Sequence, residues 1–179
     1  MPTAQPTPLA VSVNERDHAQ GPPDAPVTLV EYGDYECPHC AAVRPIVREI
    51  QRQMGDQLRF VFRNFPVTTV HRHAMRAAEA AESAAAQGKF WEMHDLLLHN
   101  QQHLDDPDLS RYAQSIGLDV PRFERELAAH THLPKVQEDF RGGMQSGVKS
   151  TPTFFINGAR HTGSFELEPL LAAVRAGLG

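Results

Sequence analysis

Cys37-Pro38-His39-Cys40 is the stretch that most restricts how this chain can fold. It holds the only two cysteines among 179 residues and lies between a strand pattern and a helix pattern. Two thiols separated by two residues in the first turn of a helix reach disulfide distance without moving the backbone. Pro38 suits the first helical position, where an N–H has no partner, so Cys37 falls at the N-cap and Cys40 one turn in. The unpaired amides and the positive dipole end at that point favour a thiolate over a thiol, and a protonated His39 adds to the effect. The expectation is an exposed, acidic, nucleophilic Cys37 and a more buried Cys40 that resolves a mixed disulfide.

A purely structural disulfide is disfavoured, because closing so short a loop removes little entropy from the unfolded chain. Zinc is the stronger rival: two cysteines at this spacing are half of a tetrahedral site, and ten histidines offer the rest. The missing half is badly placed, however. His71 with His73, His99 with His103, and His130 with His132 all lie in polar segments where solvent exposure is the default. Redox chemistry is therefore preferred to a Cys/His metal-binding module, with no metal and no cofactor required.

Length and a hydrophobic content of 41% support one domain, or one domain carrying an insertion. A net charge of −5 without a basic cluster argues against nucleic acid as a partner, and no apolar run is long enough for a membrane span. The first 26 residues hold six of the 14 prolines, with neither a basic start nor an apolar stretch. They read as a flexible arm rather than a signal peptide. On that reading the chain is cytoplasmic, where a lone C-x-x-C is catalytic rather than structural. Removal of an export segment would instead make it periplasmic or extracytoplasmic.

In chain order, Val11 to Val13 suggests a short edge strand and residues 21–26 a turn-rich lead-in. Val27 to Gly33 reads as a strand buried on both faces. Glu31 is the anomaly in it: a buried carboxylate must find a partner or go neutral, while the plainer reading lets it reach solvent. Asp34 and Glu36 read as solvated loop acids that weakly oppose a Cys37 thiolate. From Pro38 to Met54 apolar positions recur at helical spacing, interrupted by Pro45 and closed by Gly55, and Leu58 to Arg63 alternates as a second strand. This strand, helix and strand place the cysteines at the carboxyl end of the first strand, where open α/β sheets carry their chemistry.

After Pro66 the pattern is helical. Ala74, Ala77, Ala81 and Ala85 form a small-residue stripe, and Phe90, Met93, Leu97 and Leu98 form an amphipathic face. Asp106-Pro107 and Val120-Pro121 mark helix starts with Gly117 as a stop between them, and Leu133, Val136 and Phe140 lead a further helix to Gly147. Trp91 and Met93 read as core. Sheet pattern returns at Thr153 to Thr162, where Asn157-Gly158 signals a two-residue hairpin turn with positive φ at both centres. A last amphipathic helix runs from Leu167 toward Gly177. Proline at 152, immediately before the first hairpin strand, leaves ladder groups unpaired for an extended peptide.

Taken together, the C-P-H-C after a strand, Pro45 in the next helix, Thr151-Pro152-Thr153 before a hairpin, and Gly-Lys-Phe-Trp-Glu-Met-His from Gly88 to His94 resemble the DsbA-like thioredoxin-fold family. The likeness spans about Asp24 to Leu178. It implies an α/β thioredoxin fold with a helical domain inserted between the second core strand and the cis-Pro hairpin. The implied domains are an arm at 1–23, a core at 24–66 and 148–179, and an insertion at 67–147. It further implies Pro152 in cis facing the cysteines and thiol-disulfide oxidoreductase activity on protein substrates, as a monomer with a separate redox partner to reset the pair. Thr151 and Pro152 would hold the substrate chain. Glu31, six residues before Cys37, takes the place of the buried acid that proteins of this fold often carry. A glutathione-linked transferase or isomerase on a related fold is the alternative from another class; it would not need both cysteines.

Overall fold

The computed structural model describes residues 7–179, which form two compact units. Of the described residues, one comprises 7–33, Ala42–Arg63 and Arg141–Gly179, the other Asp34–Ala41 and Asn64–Phe140.

The first unit is built on a five-stranded sheet. Its strands are β1 (His18–Gln20), β2 (Val27–Gly33), β3 (Leu58–Asn64), β4 (Thr153–Ile156) and β5 (Ala159–Arg160), in the order β1-β3-β2-β4-β5. β1 runs antiparallel to β3, β2 to β4, and β4 to β5. Val27, Leu29, Val30 and Tyr32 of β2 are all buried, as a continuous apolar run in a central strand requires. In β3 Val61 is as buried as Phe60 and Phe62, so the expected alternation gives way to burial on both faces. Asn157 and Gly158 have φ of 48° and 82°, and this turn joins two antiparallel strands as its sequence dictates. Helix α1 (Pro38–Met54) continues through Pro45 and ends in a single 3₁₀ turn at Gly55–Gln57. Val43, Val47 and Ile50 form its buried face. The last helix of the chain, α7 (Leu167–Ala176), buries Leu170, Leu171 and Val174 and contacts β2.

The segment expected to be a flexible arm is pinned where it is described; residues 1–6 lie outside the described residues. No strand forms at Val11–Val13. The edge strand is β1, inside the expected arm, with Ala19 opposite Val61. Arg63 explains the ordering: its guanidinium donates to both Asp17 carboxylate oxygens at 2.8 Å, to the carbonyls of Val11 and Ser12, and to the Tyr32 hydroxyl. A buried arginine needs such partners, and the N-terminal segment supplies most of them.

The second unit is helical: α2 (Ala74–Ala86), α3 (Phe90–His99), α4 (Asp106–Ser115), α5 (Val120–Ala128) and most of α6 (Leu133–Gln145). α2 packs on α3, α4 and α5. Its alanines let neighbours approach closely, but the same helix also buries Glu79, Glu82 and Ser83. Each is answered within the unit: His130 bonds Glu79 and the Asn64 amide donates to Glu82, both at 2.8 Å, and the Ser83 hydroxyl donates to Glu126. Pro107 and Pro121 fall in the first turns of α4 and α5. Asp119 caps α5 by accepting from the Arg122 amide at 3.0 Å, and Gly117 (φ 78°) terminates α4 just past its C-cap, Ile116. Met93 is fully buried; Trp91 is half-buried against the rings of Phe90 and His94.

These units differ from the boundaries expected of an insertion at 67–147. The stretch 34–41, cysteines included, belongs with the helices, because Asp34, Glu36 and Cys37 are bonded by Val67, His71, His73 and Gln101. The end of α6 belongs with the sheet, where Gly142 lies against Val11 and Tyr32.

Candidate functional site

The loop between β2 and α1 is organised by Asp34. Its amide donates to Cys40 Sγ at 3.5 Å and its carbonyl accepts from the Cys37 amide at 3.2 Å. Its carboxylate accepts from the Glu36 amide through one oxygen, and from the Val67 amide and His71 Nδ1 through the other, each at 2.8 Å. The reading of Asp34 as a solvated acid is therefore corrected: it is 1% exposed, and its capacity for several acceptor bonds is what holds the turn. Glu36 is half-buried and accepts from the amide and Nδ1 of His73 at 2.7 and 2.9 Å. Burial pushes its carboxyl up, but the His73 bonds and the charges of His73 and His71 outweigh this and leave it lowered.

Cys37 is the N-cap residue of α1, and its carbonyl accepts from the amides of Cys40 and Ala41. Gln101 closes the same carbonyl from the helical unit, donating at 2.8 Å to Cys37 and at 2.9 Å to the Tyr35 carbonyl. Tyr35 is itself buried, with its hydroxyl 2.9 Å from His94 Nδ1. The two cysteines are not joined in a disulfide. Cys40 is fully buried and Cys37 is 5% exposed. The expectation of an exposed Cys37 is corrected, since the loop is tied down on the helices instead of projecting from them; the order of exposure, Cys37 before Cys40, remains. Pro38 and His39 are exposed.

His71 was expected to be a solvated histidine, and so were its neighbours. Instead His71 is 21% exposed on Asp34, His73 bonds Glu36 and Asp105, His130 bonds Glu79 and His132 bonds Glu126. Burial lowers His71, but the Asp34 bond and the negative charges of Asp34, Cys37 and Glu36 hold it above its ordinary value of 6.5. These histidines are committed to carboxylates, and among the described residues no cluster of three or more His, Cys, Asp or Glu is set to hold a metal. Asp34, His71 and Gln101 were not singled out as site residues. The signal was the acid two before Glu36 at a strand end, a spacing that permits a side-chain turn but does not say which distant groups complete it.

In the sheet unit, Glu31 is 2% exposed and stands opposite Phe154 in the β2–β4 ladder. Its Oε1 lies 3.2 Å from where a Cβ on Gly33 would sit, so the carboxylate extends along β2 toward its carboxyl end. The same Cβ would meet the Phe62 ring at 2.4 Å, which restricts position 33 to glycine. The Thr151–Pro152 bond is cis, and Pro152 is buried just before the Tyr32–Thr153 pair that begins the β2–β4 ladder. Thr151 is half-buried.

Residues 13–176 match the thioredoxin family. Among curated proteins the chain is 51% identical over 160 residues to an Na(+)/H(+) antiporter, NhaA 1, of Salinispora arenicola. That match covers 89% of this chain but 24% of the antiporter, so the chain spans about a quarter of such relatives. Among solved structures, a thioredoxin-like oxidoreductase from Silicibacter pomeroyi superposes with a TM-score of 0.77 at 27% identity, covering 91% of this chain and 92% of that one. The thiol-disulfide exchange protein alpha-DsbA2 from Wolbachia pipientis shares the fold with a TM-score of 0.79 at 20% identity, covering 91% and 88%. With a five-stranded sheet, a run of helices between β3 and β4 in chain order and a C-x-x-C at a helix start, the chain belongs to the thioredoxin family and has the DsbA-like form of its fold.

Proposed function

We propose that this protein is a thiol-disulfide oxidoreductase that exchanges disulfides with protein substrates through Cys37 and Cys40. The observation that carries the reading is the asymmetry of the two thiols within one helical turn: one at the helix N-cap and marginally accessible, the other fully buried. The helix start favours the thiolate at Cys37, and Pro38 and His39 between the thiols set the rigidity and charge of that turn.

Starting from the disulfide, a substrate thiolate attacks Cys37 Sγ and expels Cys40, which takes a proton; the product is a mixed disulfide between substrate and Cys37. A second substrate thiolate attacks the substrate sulfur of that bond and expels Cys37 as thiolate. Two electrons have passed from two substrate thiols to the cysteine pair, and a substrate disulfide leaves. In reverse, Cys40 attacks the mixed disulfide and Glu31 accepts its proton. The residues Thr151 and Pro152, at the start of a sheet strand, take the substrate as an added extended segment. A separate redox partner resets the pair. The resemblance to part of an antiporter concerns this thiol-handling segment; no helix among the described residues is long and apolar enough to cross a membrane, and we assign ion transport to the remainder of such relatives.

The test is equilibration with a dithiol buffer followed by turnover of a reduced protein substrate. Reversible cycling of the pair, loss of turnover in Cys37→Ser and a trapped mixed disulfide in Cys40→Ser are expected. Full turnover in Cys40→Ser would instead favour glutathione-linked chemistry on Cys37 alone.

A further inference from the structure

Beside the cysteine pair lies a buried ion pair that the exchange cycle above does not use. Asp34 is bonded through its main chain to both cysteines, its amide to Cys40 Sγ and its carbonyl to the Cys37 amide. Its side chain, wholly inaccessible, holds His71 Nδ1 at 2.8 Å. The His71 amide donates to the Val67 carbonyl at 3.0 Å while the Val67 amide donates to Asp34, so the backbone of His71 is tied to the segment that also binds Asp34. His71 remains 21% exposed and can exchange protons with solvent.

We propose that Asp34 and His71 form a positioning dyad for Cys37, in which the His71 imidazolium is the counter-ion of the Cys37 thiolate. The imidazole is bonded to Asp34, which is bonded through its main chain to Cys37, and the negative charges that hold the His71 proton are those of Asp34, Cys37 and Glu36, while the neighbouring His73 is taken up by Glu36 and Asp105. A single imidazolium among three anions gains most when Cys37 is ionised and least when its sulfur is in a neutral disulfide. Oxidation of the pair, with Cys37 as thiolate and Cys40 as thiol, releases two electrons to the exchange partner and one proton from Cys40. It also removes the charge that holds the His71 proton, so over an interval of pH a second proton leaves with the same two electrons. His71 thereby makes the pair's redox equilibrium steeper in pH than the cysteines alone would.

The inference rests on Cys37 as the nucleophile of the proposed function, and its test reads the thiol without substrate so that the two can fail separately. Cys37 is titrated by thiolate absorbance in the reduced protein and in His71→Gln and His71→Lys. Loss of the charge in His71→Gln should raise the Cys37 pKa by about one unit, a tenfold smaller thiolate fraction below it, and His71→Lys should restore most of the shift. An unchanged pKa in His71→Gln, or an equal rise in both variants, would overturn the dyad and leave the exchange reading standing. A second measurement needs no variant: proton NMR of His71 in the dithiol and disulfide forms. A higher His71 pKa in the dithiol form is expected, and equal values in the two forms would overturn the proposal.

Discussion

Glu31 occupies a ladder position between Val30 and Tyr32 where every neighbour on the strand is buried, and a carboxylate kept there at 2% exposure is costly without a purpose in binding protons or donors. As the proposed proton acceptor for Cys40, it predicts a split phenotype. Glu31→Gln should slow release of the mixed disulfide about tenfold or more, the lower end of what general-base catalysis contributes, while alkylation of Cys37 by a small reagent proceeds at the wild-type rate. Rapid-quench trapping of the mixed disulfide checks the first and iodoacetamide kinetics the second; equal slowing of both, or of neither, counts against the role. Asp34 differs from Glu31 in kind. Its five bonds to the turn and to Val67 and His71 make it the anchor that shapes the loop.

Two elements depend on charges whose partners lie far along the chain. The N-terminal segment is held on the sheet by Arg63 and Asp17, each 3% exposed. Removing one member of a buried pair strands the other, so Asp17→Ala should cost about 3–5 kcal/mol in urea unfolding and release β1 for rapid amide exchange. A loss under about 1 kcal/mol, the range of exposed pairs, would show the segment to be held by its strand pairing alone. In the helical unit, Glu126 accepts from Ser83, Arg122 and His132. Burial raises it, yet those bonds lower it from 4.5 to about 2. A carboxyl depressed on folding adds stability that is complete above the unfolded value of 4.5 and is lost as pH falls through about 2. Far-UV circular dichroism between those limits should therefore show progressive weakening of the helices, and Glu126→Gln should be less stable at neutral pH with a shallower loss across that interval.

For the molecule as a whole, the proposed function predicts that redox state is coupled to stability. On the proposed function the folded protein favours the Cys37 thiolate through the α1 N-terminus, whereas the unfolded chain treats both cysteines as ordinary thiols. By linkage the fold then favours the dithiol over the disulfide, which is the condition for an oxidising pair. Thermal unfolding should give a higher midpoint for the dithiol form than for the disulfide form, measured in separate samples at one pH. A disulfide form that melts higher would make the pair a reductant at rest. The opposing anions, Asp34 and Glu36, do not cancel the effect as free loop acids would, because each is matched by a histidine.

What the sequence determined by itself was local: the strand at Val27–Gly33, the helix from Pro38, the Asn157-Gly158 hairpin, the capped helices at Asp106 and Val120, and the C-x-x-C that ties the chain to its family. These follow from steric and hydrogen-bonding rules that act within a few residues, so periodicity and turn chemistry suffice to read them. The environment of the thiols was decided only by tertiary structure. Asp34 looks like any loop acid, and His71 like any solvated histidine, until packing brings residues 34 and 71 within 2.8 Å. The same holds for the N-terminal segment, whose proline-rich composition signals disorder but whose Asp17 meets Arg63 across 46 positions. Ion pairs between distant residues leave no period in a sequence, because their energy depends on a burial that exists only after the chain has folded.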